Sequence, residues 1–247
     1  MRQRQHFFSR TLLALYAASA LIGCSDRDAP GVFFPLEPGM TWVYEVTTEQ
    51  LGQETRTDYE SQAFRADLDR DDVPDAPDGP YWARRDSYGS EYFFARTESG
   101  IERIAKRRIV DSAPLPDLPR RPVLPLPARE GATWQVESFA YLIGKTGTYG
   151  DHTEASWPVR MAFSVLALDA EVETAAGVFS NCLLVEGTGS VELYLDGRRG
   201  FVEVPVTQTE WYAPGVGLVK LVREEEVAES DRFYGGTRTF ELVYFED

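Results

Sequence analysis

Histidine and cysteine are scarce in this chain, with two of each in 247 residues. No spacing of Cys and His suits a structural zinc site. There is no Gly-rich phosphate loop, no Gly-x-Ser-x-Gly elbow and no basic patch interleaved with aromatics. Beyond residue 23 no apolar run is long enough to span a bilayer. No long segment there repeats its apolar residues at helical spacing. Basic residues are also few, 25 against 40 acidic, for a net charge of −15. A surface of that sign repels nucleic acid, which is excluded as a partner.

The N-terminus has what the rest lacks. Arg2, Arg4 and Arg10 precede the apolar run Thr11 to Gly23, a secretory-signal pattern too short to span comfortably. The run closes on Leu21-Ile22-Gly23-Cys24, which resembles the lipobox of bacterial lipoproteins. That resemblance implies cleavage before Cys24, acylation of its thiol and new amine, and a membrane partner reached through the lipid anchor. Several acyl chains hold stably, at about 0.8 kcal/mol per buried methylene. Residues 1–23 then form the signal, 24–32 an anchor linker and 33–247 a β domain. Ser25, in place of the Asp that retains enterobacterial lipoproteins at the inner membrane, implies the periplasmic face of the outer membrane. Loss of three arginines leaves 22 basic and 40 acidic residues, a net of −18.

With Cys24 lipidated, Cys182 is a single thiol. It sits in the apolar run Phe179 to Val185 and reads as a small buried hydrophobe. Strand patterns dominate the remainder. Trp42, Tyr44 and Val46 alternate with more polar neighbours. Comparable runs are Tyr81 to Arg85, Glu91 to Arg96, Ile101 to Ile109, Trp134 to Ile143, Val159 to Leu168 and Val178 to Glu186. Val191 to Asp196, Phe201 to Val206, Thr209 to Tyr212, Leu218 to Glu224 and Thr239 to Phe245 continue them. Asp196-Gly197 reads as a hairpin turn and Pro214-Gly215 as a second turn. The expected fold is all-β, an antiparallel meander forming an open or half β-barrel. Six prolines between Pro114 and Pro127 mark 112–129 as an extended connector between two halves. The halves share an echo: Phe34-Pro35-Leu36, then Gly39-Met40-Thr41-Trp42, against Leu124-Pro125-Leu126, then Gly131-Ala132-Thr133-Trp134.

The Phe34–Tyr44 entry, Ala176 to Leu183 and Trp211 to Lys220 together resemble the TapB-like bacterial envelope lipoproteins of unknown function. These half-barrel β proteins are distantly similar in architecture to the carriers LolA and LolB. The resemblance implies a curved antiparallel sheet and no catalytic residues.

One pattern suggests a metal. Asp67, Asp69, Asp71, Asp75 and Asp78 fall at positions 1, 3, 5, 9 and 12 of an acidic loop, where alternate carboxylates could converge on calcium. Asp72 stands where an EF-hand loop has Gly, and Asp78 where it has Glu. No other cofactor is indicated. The expected function is therefore a non-catalytic envelope protein that binds an apolar ligand or a partner protein. A calcium-stabilised adhesion module and a carboxylate-dependent hydrolase are the alternatives. Cys24→Ser is expected to abolish palmitate labelling and leave an uncleaved precursor; unchanged labelling would refute the anchor.

Overall fold

Along Thr41–Gln50, Trp42, Tyr44 and Val46 are buried while their neighbours are partly exposed, the period of two expected for a strand with one face in a core. The computed structural model describes residues 33–65, 73, 80–145, 157–228 and 232–247. The strands are β1 Thr41–Gln50, β2 Arg56–Phe64, β3 Tyr81–Asp86, β4 Glu91–Arg96, β5 Gly100–Arg107, β6 Leu115–Pro125 and β7 Thr133–Ala140. They continue with β8 Gly144–Lys145, β9 Trp157–Thr174, β10 Gly177–Asp196, β11 Gly200–Ala213, β12 Gly217–Glu225, β13 Phe233–Tyr234 and β14 Gly236–Glu246. Helix is absent among the described residues.

Twelve strands form one antiparallel sheet in the order β6-β5-β4-β3-β2-β1-β14-β12-β11-β10-β9-β7, and β8 pairs with β13 apart from it. The sheet closes into a barrel except at one seam, between β6 and β7. The expected open barrel is thus the observed fold. Its two halves are meanders of six strands each: β1 to β6, then β7, β9, β10, β11, β12 and β14. The first strand of one half meets the last strand of the other at both junctions. One junction, β1 with β14, is paired from Thr41↔Glu246 to Gln50↔Gly236. The other is the seam.

The sequence echo has a structural counterpart. Met40 N donates to Glu37 O, and Ala132 N to Arg129 O, closing the same tight turn. Gly39 N donates to Phe64 O while Phe64 N donates to Met40 O. Gly131 N donates to Val165 O while Val165 N donates to Ala132 O. Both glycines have positive φ, 96° and 76°, which a side chain would strain. Each turn opens a first strand and ties it to the next, and each is followed by a tryptophan. Trp42 is buried, donates from Nε1 to Val216 O at 2.7 Å and meets Phe64 edge-on. Trp134 is half-buried and stacks on Phe163 with centroids 5.5 Å apart.

The stretch expected as a connector carries β6, an edge strand bonded on one side to β5. Proline fits extended backbone but donates no hydrogen bond, so it is tolerated on an edge. Pro116, Pro119, Pro122 and Pro125 all lie in β6. The seam is bridged instead by a side chain, Arg121 Nη1 donating to Glu137 O of β7 at 2.7 Å.

Val178–Glu186 and Val191–Asp196, separate in the sequence pattern, are one strand. Gly187 and Gly189 between them serve close packing rather than a turn: a Cβ on Gly187 would meet the Phe163 ring at 2.4 Å, and one on Gly189 would meet Arg160 O at 2.8 Å. The expected hairpin at Asp196-Gly197 forms, with Asp196 Oδ1 accepting from the amides of Arg198 and Arg199. Cys182 is fully buried, and burial pushes its thiol up to about 11, away from nucleophilic use at neutral pH. Trp42→Ala is expected to cost about 3–5 kcal/mol and the more exposed Trp134→Ala roughly half as much. Urea denaturation of both variants tests the difference, and equal losses would contradict it.

Candidate functional site

The barrel interior is apolar toward both ends, with a charged belt between them. At the entry end Phe33, Phe34, Leu36, Trp42, Phe64, Phe94, Ile101 and Leu124 pack together. Pro35 closes this end against Gly217, where an added Cβ would lie 3.3 Å from its ring. The cavity bounded by Phe34, Pro35, Trp42, Tyr44, Phe64, Arg84, Gly217 and Leu218 measures about 10 Å³. That is room for roughly one water.

Beyond it lies a belt of polar side chains. Glu60 stands opposite Tyr44, and Arg84 opposite Phe64, so the strands that supply the aromatic floor also carry these charges. Gln62 Nε2 donates to Glu60 Oε1 at 2.8 Å. Across the barrel Tyr212 Oη donates to Glu210 Oε2 at 2.6 Å, and Gln208 Nε2 donates to its other oxygen. Burial raises both Glu60 and Glu210 above the usual carboxylate range, against the hydrogen bonds that favour their ionised forms. Burial likewise pushes Arg121 down to about 10.

The belt continues into a latch. Arg223, buried on β12, donates from Nε to Glu225 Oε1 at 2.8 Å, from Nη1 to Gln208 Oε1 and from Nη2 to Phe139 O. Glu225, fully buried, accepts from the consecutive amides of Tyr141, Leu142 and Ile143. A carboxylate ringed by amides and a guanidinium offsets its own desolvation. These bonds, with Gln50 Nε2 donating to Leu142 O, hold the segment after β7 against the strands.

A second charged cluster lies on the outer face of β3, β4 and β5. Glu91 is fully buried and accepts from Arg65 at 3.3 Å and from Arg85 Nε at 2.9 Å, while Arg107 closes on its other oxygen. Arg85 and Arg107 are its direct cross-strand partners. This arrangement neutralises one buried carboxylate and has a structural role.

Cys24 and the acidic residues Asp67, Asp69, Asp71, Asp75 and Asp78 lie outside the described residues. Val73, within that acidic stretch, is buried against Ala83, Phe93, Ala95, Ile104 and Ala105. Among the described residues no group of three or more His, Cys, Asp or Glu is arranged to hold a metal ion. The interior belt escaped the sequence reading, though a signal exists: Gln208 and Glu210 share the parity of Val204, Val206 and Tyr212, and Arg223 and Glu225 that of Val219. Polar residues at core parity mark an interior that is not purely apolar.

Folded Glu210 keeps its proton at pH values where the unfolded chain has released it. The associated stability is present at low pH and lost as pH rises through the folded pKa. Glu210→Gln, permanently neutral, should therefore gain stability relative to the parent as pH rises from about 4.5 to 8. Thermal midpoints across that range test this, and a constant offset would contradict it.

No protein-family model matches the chain, and no curated protein matches it. Among solved structures it is similar to a candidate lipoprotein from Parabacteroides distasonis, with 14% identity and a TM-score of 0.36 over 87% of this chain and 98% of that one. It is similar also to a candidate exported protein with YmcC-like fold from Bacteroides fragilis, with 15% identity and a TM-score of 0.34 over 87% of this chain and 99% of that one.

Proposed function

We propose that this chain is a lipid-anchored envelope protein, held through Cys24 at the periplasmic face of the outer membrane, that acts by binding a protein partner rather than by catalysis. The observation that carries the reading is an exposed apolar rim at the end of the barrel opposite the chain entry. Ile109 is 77% exposed and Val110 78% exposed at the β5–β6 turn, beside Tyr88 at the β3–β4 turn and Leu115 at the start of β6. Ile109 lies against Gly89, so the two turns form one surface. Large aliphatic side chains in this position are costly to leave in water, and they are framed by the Arg108–Asp111 ion pair.

The direction of the strands supports a partner in the aqueous space. The chain enters at Phe33 to Leu36, beside Trp42 and Pro35's contact with Gly217. A lipid on Cys24 pulls this end toward the membrane. β5 runs from the entry end to the rim, and its eight residues place the tips roughly 26 Å away. The tightly filled entry end favours a protein partner over an apolar ligand there, since about 10 Å³ admits no acyl chain.

A photo-crosslinking residue at Val110 should give one discrete adduct in cells. Ile109→Asp should suppress it while changing stability by no more than about 0.5 kcal/mol, as expected of a surface site. The same probe at Tyr244, exposed on β14, should give none. An identical pattern from both positions, or no adduct at Val110, would refute the rim as the binding surface.

A further inference from the structure

Arg84 and Arg238 each have a buried Nε without a hydrogen-bond partner and a guanidinium over aromatic rings, and of the two Arg84 lines a cavity. Its guanidinium lies over three rings, 5.4 Å from the centroid of Phe34, 6.0 Å from Phe64 and 5.1 Å from Phe94. Its Nε is buried with no hydrogen-bond partner. Among the described residues no carboxylate is within ion-pair distance of it. Guanidinium has five donors in a planar fork, and aromatic faces satisfy its charge but none of its N–H groups. A buried donor left unmade costs the full desolvation of that group.

The space beside it has a matching shape. Arg84 forms one wall of the partly open 10 Å³ cavity, and the other walls are Phe34, Pro35, Trp42, Tyr44, Phe64, Gly217 and Leu218. Trp42 Nε1 and Tyr44 Oη already donate to Val216 O and Leu218 O. Arg84 is therefore the one lining side chain with donors to spare. Glu60 is the carboxylate in electrostatic reach, and its Oε1 is engaged by Gln62 Nε2 at 2.8 Å rather than by Arg84.

We propose that Arg84 is the anchor of an oxyanion-binding site in the barrel. One carboxylate or phosphate oxygen occupies the water-sized cavity against the guanidinium, and the remainder of the group faces the open side. The aromatic and proline walls leave room for roughly one water, which the oxyanion's oxygen replaces, so the charge-assisted bonds form beside apolar surface. The oxyanion is either free or the head group of an amphiphile whose tail stays outside the cavity. This site is independent of the apolar rim, so either can fail without the other.

The test is titration calorimetry of the full chain in detergent with inorganic phosphate and, separately, octanoate, each against sodium chloride of matched ionic strength. Saturable phosphate binding identifies a free oxyanion as sufficient. Binding of octanoate alone identifies an amphiphile head group. In both cases Arg84→Gln should weaken binding at least about tenfold, the loss expected for a charge-assisted hydrogen bond. If Arg84→Gln does not fold by circular dichroism, Arg84→Lys decides, because it keeps the charge but loses the planar fork. Weakened binding to Arg84→Lys supports the site and undiminished binding overturns it. Absence of binding of either anion beyond chloride, or wild-type affinity in folded Arg84→Gln, also overturns it, leaving Arg84 hydrated.

Discussion

The structure turns on the missing amide hydrogens of β6. A closed antiparallel barrel needs each strand to donate on both sides. β6 carries prolines at positions 116, 119, 122 and 125 and can satisfy one neighbour, β5, but has too few donors left for β7. The ring of strands therefore stops short of closure. The pseudo-equivalent junction, β1 with β14, lacks this restriction and pairs over its full length. Two similar meanders thus make one continuous joint and one seam.

That open joint changes what the interior must do. Carbonyls on the β7 side are left for side chains to satisfy, and arginines take them: Arg121 reaches Glu137 O from β6, and Arg223 reaches Phe139 O from β12. Bringing guanidiniums into the barrel requires acids and amides to balance them. Glu225 pairs with Arg223 and gathers the amides of the segment following β7, while Gln208 links Arg223 to Glu210. The part of the polar belt on β11 and β12 is in this sense tied to the seam. Apolar packing flanks the belt on both sides: Trp42, Phe64 and Phe94 meet at the entry end, and Met161, Val191, Leu193 and Val204 are buried beyond it.

Arg84 sits at the boundary between these two regimes. Its flat cation can lie on rings that a more strongly hydrated ammonium would avoid. The rings position the guanidinium without using its donors. The cavity beside Arg84 holds about one water and offers directional polar capacity rather than apolar volume. The exposed rim and the interior arginine are thus two chemically different features, one apolar and facing solvent, the other cationic beside a partly open cavity.

Local sequence determined the all-β class, most strand positions, the hairpin at Asp196 and the burial of Trp42 and Cys182, because alternation and turn chemistry act over a few residues. β4 coincides with the run Glu91 to Arg96, and the paired entry turns follow from glycines whose positive φ only that residue adopts freely. Other features depended on contacts distant in sequence. β2, with Glu60 and Gln62 at core parity, lacks the apolar alternation that reveals a strand, since its inward residues face a polar interior. Gly187 and Gly189 look like turn residues until Phe163 and Met161 of a neighbouring strand occupy the space above them. The prolines of 112–129 signal extended chain, but whether such a chain is a linker or an edge strand depends on whether β5 lies beside it. Ring closure, the location of the seam and the partners of buried charges are decided by which strands become neighbours, and that choice is made by the assembled core rather than by any single segment.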